Sequence, residues 1–115
     1  LARADGERLE QVVGNLIANA VRHTPPGGLV AAAVAAEDGI VRVDVRDTGE
    51  GIAADELPRV FERFYRAAGP DGARGDGVGL GLALVKELAE AMGGSVAAAS
   101  VPGQGSCFTV RLPRD

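Results

Sequence analysis

The chain has 115 residues, 46% of them hydrophobic and 24% charged, with 12 Lys and Arg against 16 Asp and Glu for a net charge of -4. That length fits one domain, residues 1–115, with a modest core, and the acidic balance lacks the basic excess of a duplex nucleic-acid binder. The single cysteine, Cys107, excludes an internal disulfide and fits a reducing compartment, and no apolar run is long enough to span a membrane.

Leu1 is not an initiator residue, so the chain reads as a piece of a longer protein. From Asp5 to His23, the residues Leu9, Val12, Val13, Leu16, Ile17, Ala20 and Val21 recur at helical spacing, with Asp5 as the expected N-cap. Pro25, Pro26, Gly27 and Gly28 end that helix. "LVAAAVAA" from Leu29 and "IVRVDVRD" from Ile40 flank Glu37-Asp38-Gly39 and predict a β-hairpin. In the second strand Val41, Val43 and Val45 alternate with Arg42, Asp44 and Arg46, which predicts one buried and one wet face.

Residues 47–52, "DTGEGI", are turn-like, and 54–66 predict a short helix with Pro58 in an early turn. The Gly-rich stretch 67–77 predicts a mobile segment. A second long helix is expected from about Gly79 to Met92, stopped by Gly93-Gly94. Two strands, "SVAAAS" and "SCFTVRLP", close the chain around "VPGQG".

Several stretches allow chemistry as well as architecture. On a helix of roughly 100° per residue, Asn15, Asn19 and Arg22 share one narrow arc beside the apolar stripe, bordered by His23. Such an arc is either a solvated flank or a place for a hydrated metal and its phosphates, since neutral Asn oxygens suit Mg²⁺. Asp47, in "DTGEG" at a strand end, either starts a plain turn or accepts a hydrogen bond from an exocyclic amine. "GDGVGLGL", residues 75–82, is either a connector or a backbone cradle for phosphate at a helix start, and it matches neither a Walker A loop nor a dinucleotide fingerprint. Phe61, Phe64 and Tyr65 are a core cluster or the anchor of a lid hinge.

In their order, these stretches resemble the catalytic, ATP-binding domain of sensor histidine kinases, within the group that includes gyrase B, HSP90 and MutL. "NLIANAVRHT" looks like the N box, "DTGEGI" the G1 box and "FERFYR" the F box. "GDGVGLGLALVKELAEAMGG" looks like the G2 box with its helix, and "GQGSCF" the G3 box. The resemblance implies a two-layer α/β sandwich of Bergerat type, with a mixed, mostly antiparallel sheet and three helices on one face. It implies Asn19 as a direct Mg²⁺ ligand, Asn15 in support, Arg22 at phosphate and Asp47 on the adenine amine. Gly49, Gly51 and Ile52 would shape the base pocket, and Gly77, Gly79 and Gly81 would hold the lid's end against phosphate. His23, Phe64, Arg74, Val78, Leu80 and Thr109 also fall at the nucleotide by this resemblance.

The implied ligands are ATP and Mg²⁺. The implied partners are a dimerisation domain bearing the acceptor histidine and a response regulator. A cytoplasmic location is expected, and the acidic balance and the lack of a long apolar run argue against nucleic acid and against membrane insertion by this stretch. An inner-membrane sensor is one form the parent can take. Other members often carry Tyr where His23 stands, which leaves a stacking role there open, and their strand ahead of the first helix has no counterpart after Leu1. A nucleotide-sensing docking module and an anti-sigma-type serine kinase are the alternatives on the same fold. The serine kinases tend to keep Glu where this chain has Asn15.

Overall fold

The computed structural model describes residues 3–62 and 81–113. The first apolar stripe forms helix α1, Arg3–His23. Val12, Leu16 and Ala20, each one turn from the next, are its fully buried line. The helix begins two residues ahead of Asp5, so Asp5 is not its N-cap; Arg and Ala are good helix formers and carry the helix back past it.

Strands β1, Val30–Glu37, and β2, Ile40–Asp47, pair antiparallel with Glu37 opposite Ile40. The two-residue turn between them has positive φ at both Asp38 (51°) and Gly39 (76°). This is the mirror-image turn whose twist matches the flanking strands. In β2 the expected alternation holds in part: Val43 and Val45 are buried and Arg46 is exposed, while Val41, Arg42 and Asp44 are all half-buried.

After β2 the chain makes a turn and a 3₁₀ segment, Leu57–Arg59, in place of the helix expected from residue 54. The bonds are short: Arg59 N donates to Glu56 O at 2.9 Å, and Glu62 N to Arg59 O at 3.0 Å. Pro58 has no N–H to continue an α-helical ladder. Residues 63–66 lie outside the described region, as does the Gly-rich stretch 67–77.

Helix α2 runs Gly81–Ala91 and buries Ala83, Val85 and Ala89. The stop expected at Gly93-Gly94 is a double one: Gly93 N donates to Glu90 O at 3.0 Å and Gly94 N to Ala89 O at 2.8 Å. Gly93 takes φ +81° there, which a side chain would resist. Strands β3, Ser95–Val101, and β4, Gly105–Pro113, complete a sheet of order β1-β2-β4-β3.

All three pairings are antiparallel, so no mixed pairing occurs among the described residues. Two α-helices rather than three stand among them. The two-layer α/β class holds. α1 and α2 pack on each other and on one sheet face, around Val43, Val45, Phe108, Val110 and Leu112. Phe61 meets the Phe108 ring edge-on, with centroids 6.0 Å apart. No helix among the described residues is long and apolar enough to cross a membrane.

Among the described residues Phe108 is the largest fully buried side chain, and it joins both helices' layer to the post-β2 turn. Phe108→Ala should lose about 3–5 kcal/mol of stability. Urea unfolding checks this; a loss under about 1 kcal/mol would mean that the core is not organised around this ring.

Candidate functional site

The C-terminal half of α1 carries the polar arc. Asn15 and Asn19 are half-buried and Arg22 is exposed, along the border of the Val12, Leu16, Ala20 line. A helix holds two such carboxamides one turn apart, about 5–6 Å between their Cβ atoms. Among the described residues, no group of three or more His, Cys, Asp or Glu side chains forms a cation cage. The donor set fits a cation that keeps much of its water and takes neutral oxygens from protein.

β2 delivers Asp47 to the end of the sheet. It is the one buried charged side chain among the described residues, 8% exposed. Its Oδ1 accepts the Gly49 N–H at 2.8 Å, which folds the chain into an Asx turn. A carboxylate has several acceptor positions, and among the described residues this one has a single hydrogen-bond donor.

The turn after Asp47 is gripped from three sides. Thr48 N donates to Leu29 O at 3.0 Å, and Leu29 N to Thr48 Oγ1 at 2.8 Å, which ties it to the start of β1. His23 Nδ1 lies 3.4 Å from Glu50 Oε1, which links it to the last residue of α1. Gly103 N donates to Glu50 O at 2.7 Å, and Ile52 N to Ser100 Oγ at 2.7 Å, which ties it to the β3–β4 hairpin.

Close backbone approach explains two of the glycines. A Cβ on Gly49 would strike the His23 carbonyl oxygen. One on Gly51 would strike the Val101 carbonyl, and φ at Gly51 is +76° besides. A cleft of about 480 Å³ opens beside this turn, lined by Arg22, His23, Pro25, Thr48, Gly49, Glu50 and Gly103.

The structure therefore brings Arg22, His23 and Gly49 to one cleft, with Asp47, Gly51 and Ile52 on the same turn. Asn15 and Asn19 share the helix that leads to it. Gly81 opens α2, while Phe64, Arg74, Gly77, Val78, Gly79 and Leu80 lie outside the described residues.

Thr109 is a correction. It pairs with Asp44 across β4 and β2, and its hydroxyl donates to Asp44 Oδ1 at 2.6 Å. Strand alternation puts both on the sheet face away from the helices, opposite to Asp47. The residue directly across from Asp47 is Ser106. Sequence reasoning also missed Thr48, Glu50 and Ser100, whose bonds cross 19 to 48 positions of chain and leave no local pattern.

The family model for histidine kinase-, DNA gyrase B- and HSP90-like ATPases matches residues 4–115, and the chain belongs to that family. More narrowly, it is an ATPase domain of the kind that sensor histidine kinases carry. It is 50% identical over 113 residues to the sensor protein DivL of Caulobacter vibrioides, covering 98% of this chain and 14% of that protein. The mycobacterial sensor histidine kinase MprB superposes with a TM-score of 0.82 at 34% identity, over 93% of this chain and 72% of that one. Full-length ShkA in complex with AMPPNP gives 0.78 at 42% identity, over 92% and 21%.

The contacts at Gly49 make a sharp contrast with Gly14, which has nothing within 4 Å of a Cβ on mid-α1. Gly49→Ala should cost about 1–3 kcal/mol by overpacking and weaken nucleotide binding. Gly14→Ala should stabilise by about 0.5–1 kcal/mol. Thermal unfolding of the two variants checks the pair; equal shifts would contradict the packing seen at Gly49.

Proposed function

We propose that this chain binds Mg-ATP and presents the γ-phosphate to a histidine on a dimerisation domain of the longer protein, in a relay that ends on a response regulator. The observation that carries the reading is Asp47: a buried carboxylate with one donor among the described residues, fixed at a strand end beside a gripped turn. Adenine offers its exocyclic amine to such an acceptor. The family membership supports ATP, and the nucleotide analogue named with ShkA supports a bound triphosphate in a relative.

Each residue has a defined task in this reading. Asp47 accepts from the adenine amine, and Gly49, Gly51 and Ile52 set the shape of the turn beside the base. Asn19 would hold Mg²⁺ with Asn15 in support; bound there, the ion would neutralise phosphate charge. Arg22 is exposed at the cleft, and in this reading its guanidinium meets phosphate. In the transfer, the bond from the γ-phosphorus to the bridging oxygen breaks and one to an imidazole nitrogen forms. ADP leaves, and the imidazole proton goes to a base on the acceptor's side. The protein's contribution is positioning and charge stabilisation. Asn15 is a carboxamide and cannot deprotonate water, so hydrolysis without an acceptor should be slow.

Two outcomes test this. Asp47→Asn replaces a charged acceptor by a neutral amide, and hydrogen bonds to charged groups are worth about 1.5–3 kcal/mol. ATP affinity measured by calorimetry should fall about tenfold or more; an unchanged affinity would remove the role. With radiolabelled ATP, the chain alone should not label itself, because His23, its single histidine, falls in the stretch that resembles the N box and is not read as the acceptor. Added acceptor domain should give weak labelling in trans, limited by effective concentration. Asn19→Ala should abolish nearly all of that labelling while the fold survives. Strong acid-stable self-labelling would point instead to a serine kinase.

A further inference from the structure

The inner face of the sheet is apolar along most of its length. Val45, Phe108 and Ala98 stand opposite one another across β2, β4 and β3. The row two residues beyond differs: Asp47 lies opposite Ser106, and Ser106 opposite Ser100. Three polar side chains thus close the core at the end where the site lies.

Ser100 is the junction of that row. Its Oγ accepts the Ile52 N–H at 2.7 Å, donates to the Gly105 carbonyl at 2.9 Å and lies 2.9 Å from Ser106 Oγ. A hydroxyl offers one donor and two acceptor positions, and all three are used. Both backbone partners matter to the site. Ile52 follows Gly51, where the turn reverses at φ +76°. Gly105 packs so closely on the Asp47 carbonyl that a Cβ there would overlap it. One hydroxyl therefore holds the far end of the Asp47–Ile52 turn and the hairpin that presses on its near end.

We propose that Ser100 is a positioning residue for base recognition: through Ile52 and Gly105 it fixes where the Asp47–Ile52 turn stands and so how well adenine is distinguished from other bases. The inference rests on the nucleotide reading above. Ser100 touches no base itself. Its removal orphans the Ile52 N–H and frees the turn, and the cost falls on selectivity as well as affinity.

The test compares ATP and GTP affinities of the wild-type chain and Ser100→Ala by calorimetry, at a temperature where circular dichroism shows both folded. The expected result is about a tenfold loss of ATP affinity, with the preference for ATP over GTP reduced by a similar factor. A lower unfolding midpoint with ATP affinity and the ATP/GTP ratio unchanged would mean that Ser100 only stabilises the hairpin, and would overturn the proposal. A second measurement needs no variant. The Ile52 amide of the nucleotide-free wild type should exchange at least about tenfold more slowly than an unprotected amide. Free exchange there overturns the tether even if Ser100→Ala fails to fold. A wild-type chain that binds no ATP would sink the nucleotide reading instead, and the Ile52 amide would still report separately on the tether.

Discussion

A carboxylate taken out of water must be hydrogen-bonded or it destabilises the fold. Asp47 ends β2 on the face that otherwise builds the core, and it keeps its place through one backbone donor, Gly49 N–H, and a turn locked on three sides. The rest of the site follows from this constraint. The turn must pass close under the His23 carbonyl, hence Gly49; it must reverse against Val101, hence Gly51. The β3–β4 hairpin must reach across to hold it, hence Ser100 and the backbone bond from Gly103 to Glu50.

The two layers divide the labour. The sheet supplies a rigid end bearing the buried Asp47 carboxylate. α1, packed on it through Val12, Leu16 and Ala20, supplies carboxamides and a cation along one edge. Because α1 ends at His23, in contact with Glu50 of the turn, the end of the helix and the turn after Asp47 meet at one cleft. Neither layer alone makes the site. A change in α1–sheet packing would shift the Asn pair relative to Asp47, which is how core stability and nucleotide affinity become linked.

Much of this was legible in the residues. The stripes of α1 and α2, the hairpin at Glu37-Asp38-Gly39 and the alternation of β2 are local patterns; the helices and the hairpin appear where they are expected, with Glu37 joining β1 to leave a two-residue turn, and the alternation is clean from Val43 to Asp47. Asp47, Gly49 and Gly51 stood out because a carboxylate and two glycines at a strand end make a compact signal. The segment after residue 54 read as a helix because its composition is helical; Pro58 and the short i→i+3 bonds decide otherwise. Thr109 fell on the wrong face because strand residues alternate sides and a one-residue shift reverses the side, so Ser106 rather than Thr109 stands across from Asp47. Ser100 was invisible for another reason: in "SVAAAS" it looks like a strand end, and only the register of three strands brings it to Ile52.

Asp47 as the reader of an exocyclic amine is the claim on which the rest depends, and the base itself can be changed instead of the protein. Inosine triphosphate keeps the ribose, the triphosphate and the ring shape of ATP but carries a carbonyl where adenine carries its amine. Calorimetry of the unmodified chain with Mg²⁺ and each nucleotide should show inosine triphosphate binding at least about tenfold more weakly, as expected when a hydrogen bond to a charged acceptor is replaced by two facing acceptors. Equal affinity for the two nucleotides would contradict it.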